Sequence, residues 1–266
     1  TDWRAIQANR LLGQVMNGEA LVHVATRRDH PPATRLEAIA VLAEWPAPHG
    51  QDRVTGNWRP CEHPDAATIT ERLASAVPEL LVDDAVAEAA AEAAGKLRLG
   101  STAAALAATF RDNARPEPVR RAALDALAAM DAPELRECLM ELPTDASPAL
   151  RCRAIELLPR IDPLEAIHLL AALLEKGTVG EQRAALRALG ELEDAGADGL
   201  LAATLDRFLA GDLAAPLQLD LLEAAQQREH EAIDARLLAV AEQESAGGAL
   251  GGWLVCREGG DADAGG

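Results

Sequence analysis

"PEPVRRAALDAL" (residues 116–127), "SPALRCRAIELL" (147–158) and "VGEQRAALRALG" (179–190) are three writings of one helical phrase. They align without gaps on a small residue, Ala123, Ala154 and Ala185, at two steps of 31 residues. Fainter copies carry Ala90 ("DDAVAEAAAEAA"), Ala38 ("PPATRLEAIAVL") and Leu221 ("APLQLDLLEAA"), which adds steps of 33 and 36 and one long step of 52. A fixed period in this range marks one supersecondary unit written repeatedly. No such unit can bury its apolar face alone, so the copies stack. The pattern predicts an all-α fold, a right-handed superhelical solenoid of about six helix pairs, with a truncated helix on the N-terminal side.

Inside each copy the apolar positions recur at helical spacing: Val119, Ala122, Ala123, Ala126 and Leu127, then Leu150, Ala154, Leu157 and Leu158. These are the second helices of the pairs. The first helices are predicted at 103–111, 133–142, 163–176 and 200–209. Asp162-Pro163 with Glu165 reads as an N-cap, a proline in the first turn and a capping-box acid, and Ser147-Pro148 opens the next helix similarly. Gly177, Gly190 and Gly211 fall where helices should stop. Helices this short are marginal in isolation, so their stability must come from stacking.

Composition narrows the class further. Hydrophobic residues make up 49% of the 266, but aromatics only 2%, with no Tyr and two Phe. That describes thin, closely packed Ala/Leu helices and argues against an aromatic cofactor cage. A net charge of −18, from 25 Lys+Arg against 43 Asp+Glu, repels phosphate backbones and anionic lipid surfaces. Neither nucleic acid nor membrane is therefore an expected partner. No run reaches the roughly 18 apolar residues that read as a spanning helix. Cys61, Cys138, Cys152 and Cys256 show neither a disulfide framework nor paired zinc spacing. No signal peptide is visible, and a start without Met reads as an excerpt.

Two stretches break the rhythm. Residues 45–65, "WPAPHGQDRVTGNWRPCEHPD", hold four Pro, two Gly and two Trp and account for the long step. The pair of tryptophans marks an ordered insertion within a solenoid spanning 1–246. The tail, 247–266, reads as a hinge or linker toward a further C-terminal domain.

Candidate functional residues are few. Trp45, Arg53, Trp58 and Arg59 join flat apolar area to planar cations, the composition of protein-interface anchors. The same residues could instead pack on their own chain and plug the gap between distant repeats. Arg35, Arg120 and Arg151 share one repeat position, which Gln182 and Gln218 take later, and Asp29 and Asp145 each precede an arginine by six residues. Accompanied by acids in an acidic chain, this ladder reads as structural rather than as a phosphate grip. Cys61, His63 and His49 could offer metal ligands, but the spacing is not that of a structural zinc site, and a buried thiol beside a surface His is the simpler expectation. His23 and His168, on apolar helices, read as groove or core residues. No phosphate loop, nucleophile elbow, His-Glu-x-x-His or Cys-x-x-Cys-His motif occurs, so neither catalytic residues nor a cofactor is expected within the chain.

The helix pairs resemble short HEAT repeats. More narrowly, "WPAPHGQDRVTGNWRP" (45–60), "LQLDLLEAA" (217–225) and "EGGDADAGG" (258–266) resemble one region of large exported planctomycete-type proteins. In that family a sugar-dehydrogenase-like propeller precedes a HEAT segment, and a cytochrome c module with a Cys-x-x-Cys-His haem site follows it. Asp52 to Pro60 is the most distinctive stretch of the match, and residues 259–262 look like the lead-in to the cytochrome module. The resemblance implies a non-catalytic spacer and docking segment in a periplasmic or exported redox protein, with haem c carried by the parent. Two alternatives remain at this level: a free-standing HEAT adaptor with a protein partner in its concave groove, and a short-repeat lyase, for which no catalytic residues stand out.

Overall fold

A computed structural model describes residues 2–141 and 147–247. The chain forms two compact units, Thr1–Thr144 and Asp145–Gly266. The described residues hold fourteen α-helices, and their only β pairing is a single antiparallel bridge between Gln51 and Trp58. Of the predicted linker only Gly247 is described, as the last residue of a helix, and Asp145, Cys256 and the 259–262 lead-in lie outside the described residues.

The first unit contains α1 (Asp2–Leu12), α2 (Val15–Thr26), α3 (Pro32–Ala43), α4 (Ala66–Leu81), α5 (Ala87–Lys96), α6 (Ala103–Arg111), α7 (Glu117–Ala129) and α8 (Glu134–Met140). Helices pair in sequence, α2 with α3, α4 with α5 and α6 with α7. Successive second helices then lie side by side, α3 on α5 and α5 on α7. The second unit repeats the scheme with α9 (Pro148–Leu157), α10 (Pro163–Lys176), α11 (Val179–Glu191), α12 (Ala195–Leu209), α13 (Ala215–Gln226) and α14 (Glu231–Gly247). There α9, α11 and α13 form the corresponding row, an inner row in that it carries the buried anchors. Each unit is an all-α stack of helix pairs, the solenoid arrangement.

The repeat anchors explain that row. Ala38, Ala90, Ala123, Ala185 and Leu221 are wholly buried and Ala154 nearly so. Small residues let neighbouring helices approach closely, and two glycines take this further. A Cβ on Gly95 of α5 would lie 2.9 Å from the Ala126 Cα of α7, and one on Gly190 of α11 would lie 2.9 Å from the Ala224 Cα of α13. Both glycines stand five residues past their anchors, Ala90 and Ala185. Gly190 is thus a packing position in the last turn of α11, which ends one residue later at Glu191, close to the stop that its place in the phrase predicts.

Side-chain caps open four helices of the second unit, α9 to α12. Ser147 and Asp162 accept hydrogen bonds from the Leu150 and Glu165 amides. The reciprocal capping box falls elsewhere, between Thr178 and Glu181. Gly211, at φ +79°, closes α12 through the Asp212 amide bonded to the Arg207 carbonyl oxygen, 2.9 Å. Two non-glycine residues take the same left-handed place after their helices, Arg98 (φ 51°) and Asp131 (φ 52°), and they pair with each other at 2.6 Å.

Candidate functional site: the insertion between α3 and α4

The 45–65 insertion is folded by its own backbone. The Asp52 amide donates to the Asn57 carbonyl oxygen at 2.8 Å, Gly56 N–H to Asp52 O at 2.8 Å, and Arg59 N–H to Gly50 O at 2.7 Å. Gly56 supplies the positive φ (+74°) that this tight turn requires. Inside the turn, the buried Asp52 carboxylate accepts the Val54 and Thr55 amides at 2.9 and 2.8 Å. The Thr55 amide chiefly, then that of Val54, holds its carboxyl below the usual carboxylate range against the opposing effect of burial.

Three attachments fix the insertion to the helices. Arg53 forks onto Glu37 of α3, Nε to Oε1 at 2.7 Å and Nη2 to Oε2 at 3.0 Å, and reaches Glu44 at 3.4 Å. Arg10 of α1, fully buried, donates to the His49 carbonyl oxygen. His63 lies buried between two carbonyl oxygens, Nδ1 2.8 Å from Trp45 O and Nε2 2.7 Å from Arg10 O. Its ring stacks on the Trp45 indole, centroids 3.9 Å apart. Gly13, at φ +67° between α1 and α2, makes room, because a Cβ there would stand 2.5 Å from Glu62 O and 2.7 Å from the His63 Cδ2.

The four proposed interface residues therefore divide. Trp45 is 1% exposed and belongs to the core, which corrects its reading as an interface anchor; burial beneath His63 is the reason. Arg53 is engaged by Glu37. Trp58, by contrast, is 72% exposed. Its ring lies over Gly50, where a Cβ would come within 2.5 Å, and His49 meets it edge-on at 6.0 Å. Arg59 points outward as well, with only a loose 3.6 Å approach to Asp52. A cleft of about 350 Å³ beside this face is lined by Glu44, His49, Gln51, Asp52, Arg53 and Gly56.

The repeat-position ladder has an internal use. Arg35 Nε donates to Ala25 O at 2.8 Å and its Nη1 meets Asp83 at 2.7 Å. Arg120 Nε donates to Phe110 O at 2.8 Å, and its guanidinium stands over the Phe110 ring. Gln182 bonds Leu174 O at 2.9 Å. In each case the side chain from a second helix meets a carbonyl in the last turn of its preceding first helix, where unpaired oxygens and the negative dipole end coincide. Arg115 does the same for α4, donating to Leu81 O and to Val82 O. Arg151 turns instead to Glu181 at 2.9 Å, and this pairing, ahead of the Thr178 donors, holds the Glu181 carboxyl below its usual range.

Other sequence expectations are corrected by burial. His63 is the buried partner and Cys61 the half-buried one, reversing the predicted order. His23 and His168 are exposed, which excludes the core half of their groove-or-core reading: their turns of α2 and α10 present Leu21, Ala25 and Leu170 to the core instead. His49 and His63 face different partners, and among the described residues no group of three or more His, Cys, Asp or Glu could hold a metal ion. No helix among the described residues is long and apolar enough to cross a membrane.

Residues 111–190 match the family model for HEAT repeats. That segment contains the three clear copies of the phrase, anchored on Ala123, Ala154 and Ala185. No curated protein matches the chain.

Proposed function

We propose that this chain is a HEAT-type docking and spacer module, with the outer face of the 45–65 insertion as its contact surface. The observation that carries this reading is Trp58: a large indole, 72% exposed, on a turn that is tied to α1 and α3 by buried groups. Exposed aromatic area next to a planar cation, preorganised by a rigid base, is what interface hot spots offer. The cations elsewhere in the ladder are engaged by helix ends and carboxylates, which favours a protein partner over a phosphate one.

We infer further, from the resemblance of residues 45–60 and 258–266 to the exported redox family, that the module spaces a dehydrogenase-like domain from a cytochrome c domain in a periplasmic parent protein. In that reading haem c belongs to the parent and not to this chain. The second reading is a free-standing adaptor, which the same Trp58 surface would serve.

The test is the intact mass and visible spectrum of the native protein isolated from its host with an antibody to this segment. A species far larger than 28.0 kDa with a haem Soret band supports the spacer reading. A colourless species near that mass overturns it and leaves the adaptor.

A further inference from the structure

Beneath the insertion a positive charge lies buried without a counter-charge. Arg10 is fully buried, and only its Nη2 has a partner, the His49 carbonyl oxygen. Its Nε and Nη1 are buried and unpaired. A guanidinium has five N–H donors, no acceptor and no neutral form to retreat to. Gln7, 5% exposed, is a second case on the same helix: its Oε1 accepts the Arg53 amide at 3.4 Å, but its Nε2 is buried and unpaired. Of the five buried, unpaired side-chain nitrogen and oxygen atoms among the described residues, three thus fall on these two side chains. That concentration marks a place rather than scattered imperfections of packing.

Gln7 and Arg10 stand three residues apart in α1 and so share one helix face. That face looks at the insertion, because both side chains reach it, at residues 53 and 49. Every unpaired atom there is a donor, so the group that suits them is an acceptor. The carboxylates of this region are committed elsewhere. Glu37 takes the Arg53 fork, Glu44 lies between Arg53 and Lys96, and Asp52 accepts the Val54 and Thr55 amides. The Arg10 and Trp45 carbonyl oxygens already meet the His63 ring. A water molecule would bring two hydrogens of its own to place. A small anion brings none, and it also offsets the cost of a buried cation.

We propose that Arg10 and Gln7 form a site for one small inorganic anion of the halide class, which neutralises the buried guanidinium and joins α1 to the underside of the insertion. Nε and Nη1 open on opposite edges of the guanidinium plane, so the ion meets one of them and the Gln7 amide completes its contact. Burial of both side chains favours a compact ion over an oxyanion or a partner's carboxylate. The way in is the cleft of about 350 Å³, whose lining includes His49 and Arg53, the two residues that Arg10 and Gln7 touch. The site lies under the turn that carries Trp58, and the inference stands whether or not Trp58 binds a partner.

The experiment follows the thermal midpoint of the full chain as chloride replaces gluconate at constant ionic strength. For a site half-filled near about 100 mM, the midpoint should rise by about 3 °C between about 10 and about 500 mM chloride. Gln7→Glu supplies the negative charge from the chain itself and can still accept the Arg53 amide. Q7E should therefore have the higher midpoint in gluconate and show no chloride-specific rise, and general salt effects cancel between the two proteins. In parallel, crystals of the native chain grown in bromide should show anomalous density in contact with Gln7 Nε2 and an Arg10 nitrogen. Bromide confined to other positions overturns the proposal, as does a chloride response that is absent in the native chain or equal in Q7E. Should Q7E not fold, the bromide position in the native crystals decides alone.

Discussion

The same substitution, glycine to alanine, should have opposite effects at two sites of the second unit. Gly199 lies within α12, exposed, with no atom within 4 Å of where its Cβ would be. Alanine there recovers the helix propensity that glycine lacks, about 1 kcal/mol, with no packing cost. Gly190 gains the same propensity, but its new methyl meets the Ala224 Cα at 2.9 Å, the Ala224 Cβ at 3.0 Å and Gln227 Oε1 at 3.0 Å. The Gln227 oxygen can swing away, whereas the Ala224 backbone is held within α13. Separating α11 from α13 by a few tenths of an ångström disturbs the contacts of wholly buried Leu186, Leu189 and Leu221. Overpacking of this kind costs about 1–3 kcal/mol, which outweighs the propensity gain and leaves a net loss of about 1 kcal/mol. G199A and G190A should therefore differ by about 2 kcal/mol, or roughly 4–8 °C in midpoint by calorimetry. Gly95→Ala, facing Ala126 in the first unit at the same 2.9 Å, should follow Gly190. Equal stabilisation by G190A and G199A would refute the claim that glycine sets the spacing of the inner row.

Leu127→Asp places a charge at a wholly buried position of α7 and should cost several kcal/mol, read as a midpoint drop; a change under about two degrees would refute the assigned face. Arg120→Met removes the donor to Phe110 O and should cost about 1–3 kcal/mol by denaturant titration, with Arg120→Gln milder because Gln182 already serves Leu174 O in that way. Acid should weaken the fold: Arg35 chiefly holds the Asp83 carboxyl below its ordinary range, and Arg151 does so for Glu181. Near pH 4 the unfolded chain thus binds more protons than the folded one, so stability is present above about pH 4–5 and declines as pH falls below it. Asp83→Asn should flatten part of that decline in an acid titration followed by circular dichroism.

The repeats were legible because helical period and repeat period both reside in local sequence. Helices 103–111 and 163–176 have the predicted bounds. The first helix predicted at 200–209 begins five residues earlier, at Ala195, because the Asp194 carboxylate accepts the Gly196 amide and starts α12 there. The helix predicted at 133–142 is shorter at both ends, Glu134–Met140. The site was legible only in part. Residue type marked Trp45 and Trp58 alike, but which indole is covered depends on a contact between His63 and the end of α1, more than fifty positions away in the chain. Nothing in the spacing of Gly13, Arg10 and His63 announces that contact. A signal that was present lies in the charges: Arg111 with Glu141, Arg151 with Glu181, Asp198 with Arg228, and Asp206 with Arg236 all pair at a separation of 30 residues. Opposite charges one repeat apart mark adjoining turns of a stack.

Those pairs also bear on where a partner would dock. Exposed ion pairs add little stability individually, about 0–1 kcal/mol, so their main consequence is to occupy cations. With 43 acidic against 25 basic residues, every arginine bound to a helix end or a carboxylate of the next repeat leaves the outer surface more uniformly anionic. Arg187 illustrates this, shared between Glu156 at 2.7 Å and Asp220 at 2.9 Å. Arg59 is different: its approach to Asp52 is 3.6 Å, and the Asp52 carboxylate is already served by two backbone amides. It stands beside the exposed Trp58 on a turn that the rest of the first unit holds rigid. That position combines apolar area with an available positive charge. A partner segment pairing an apolar side chain with a carboxylate would complement it, and Trp58→Ala separates this role from a packing role: binding should weaken while the thermal midpoint stays within about two degrees.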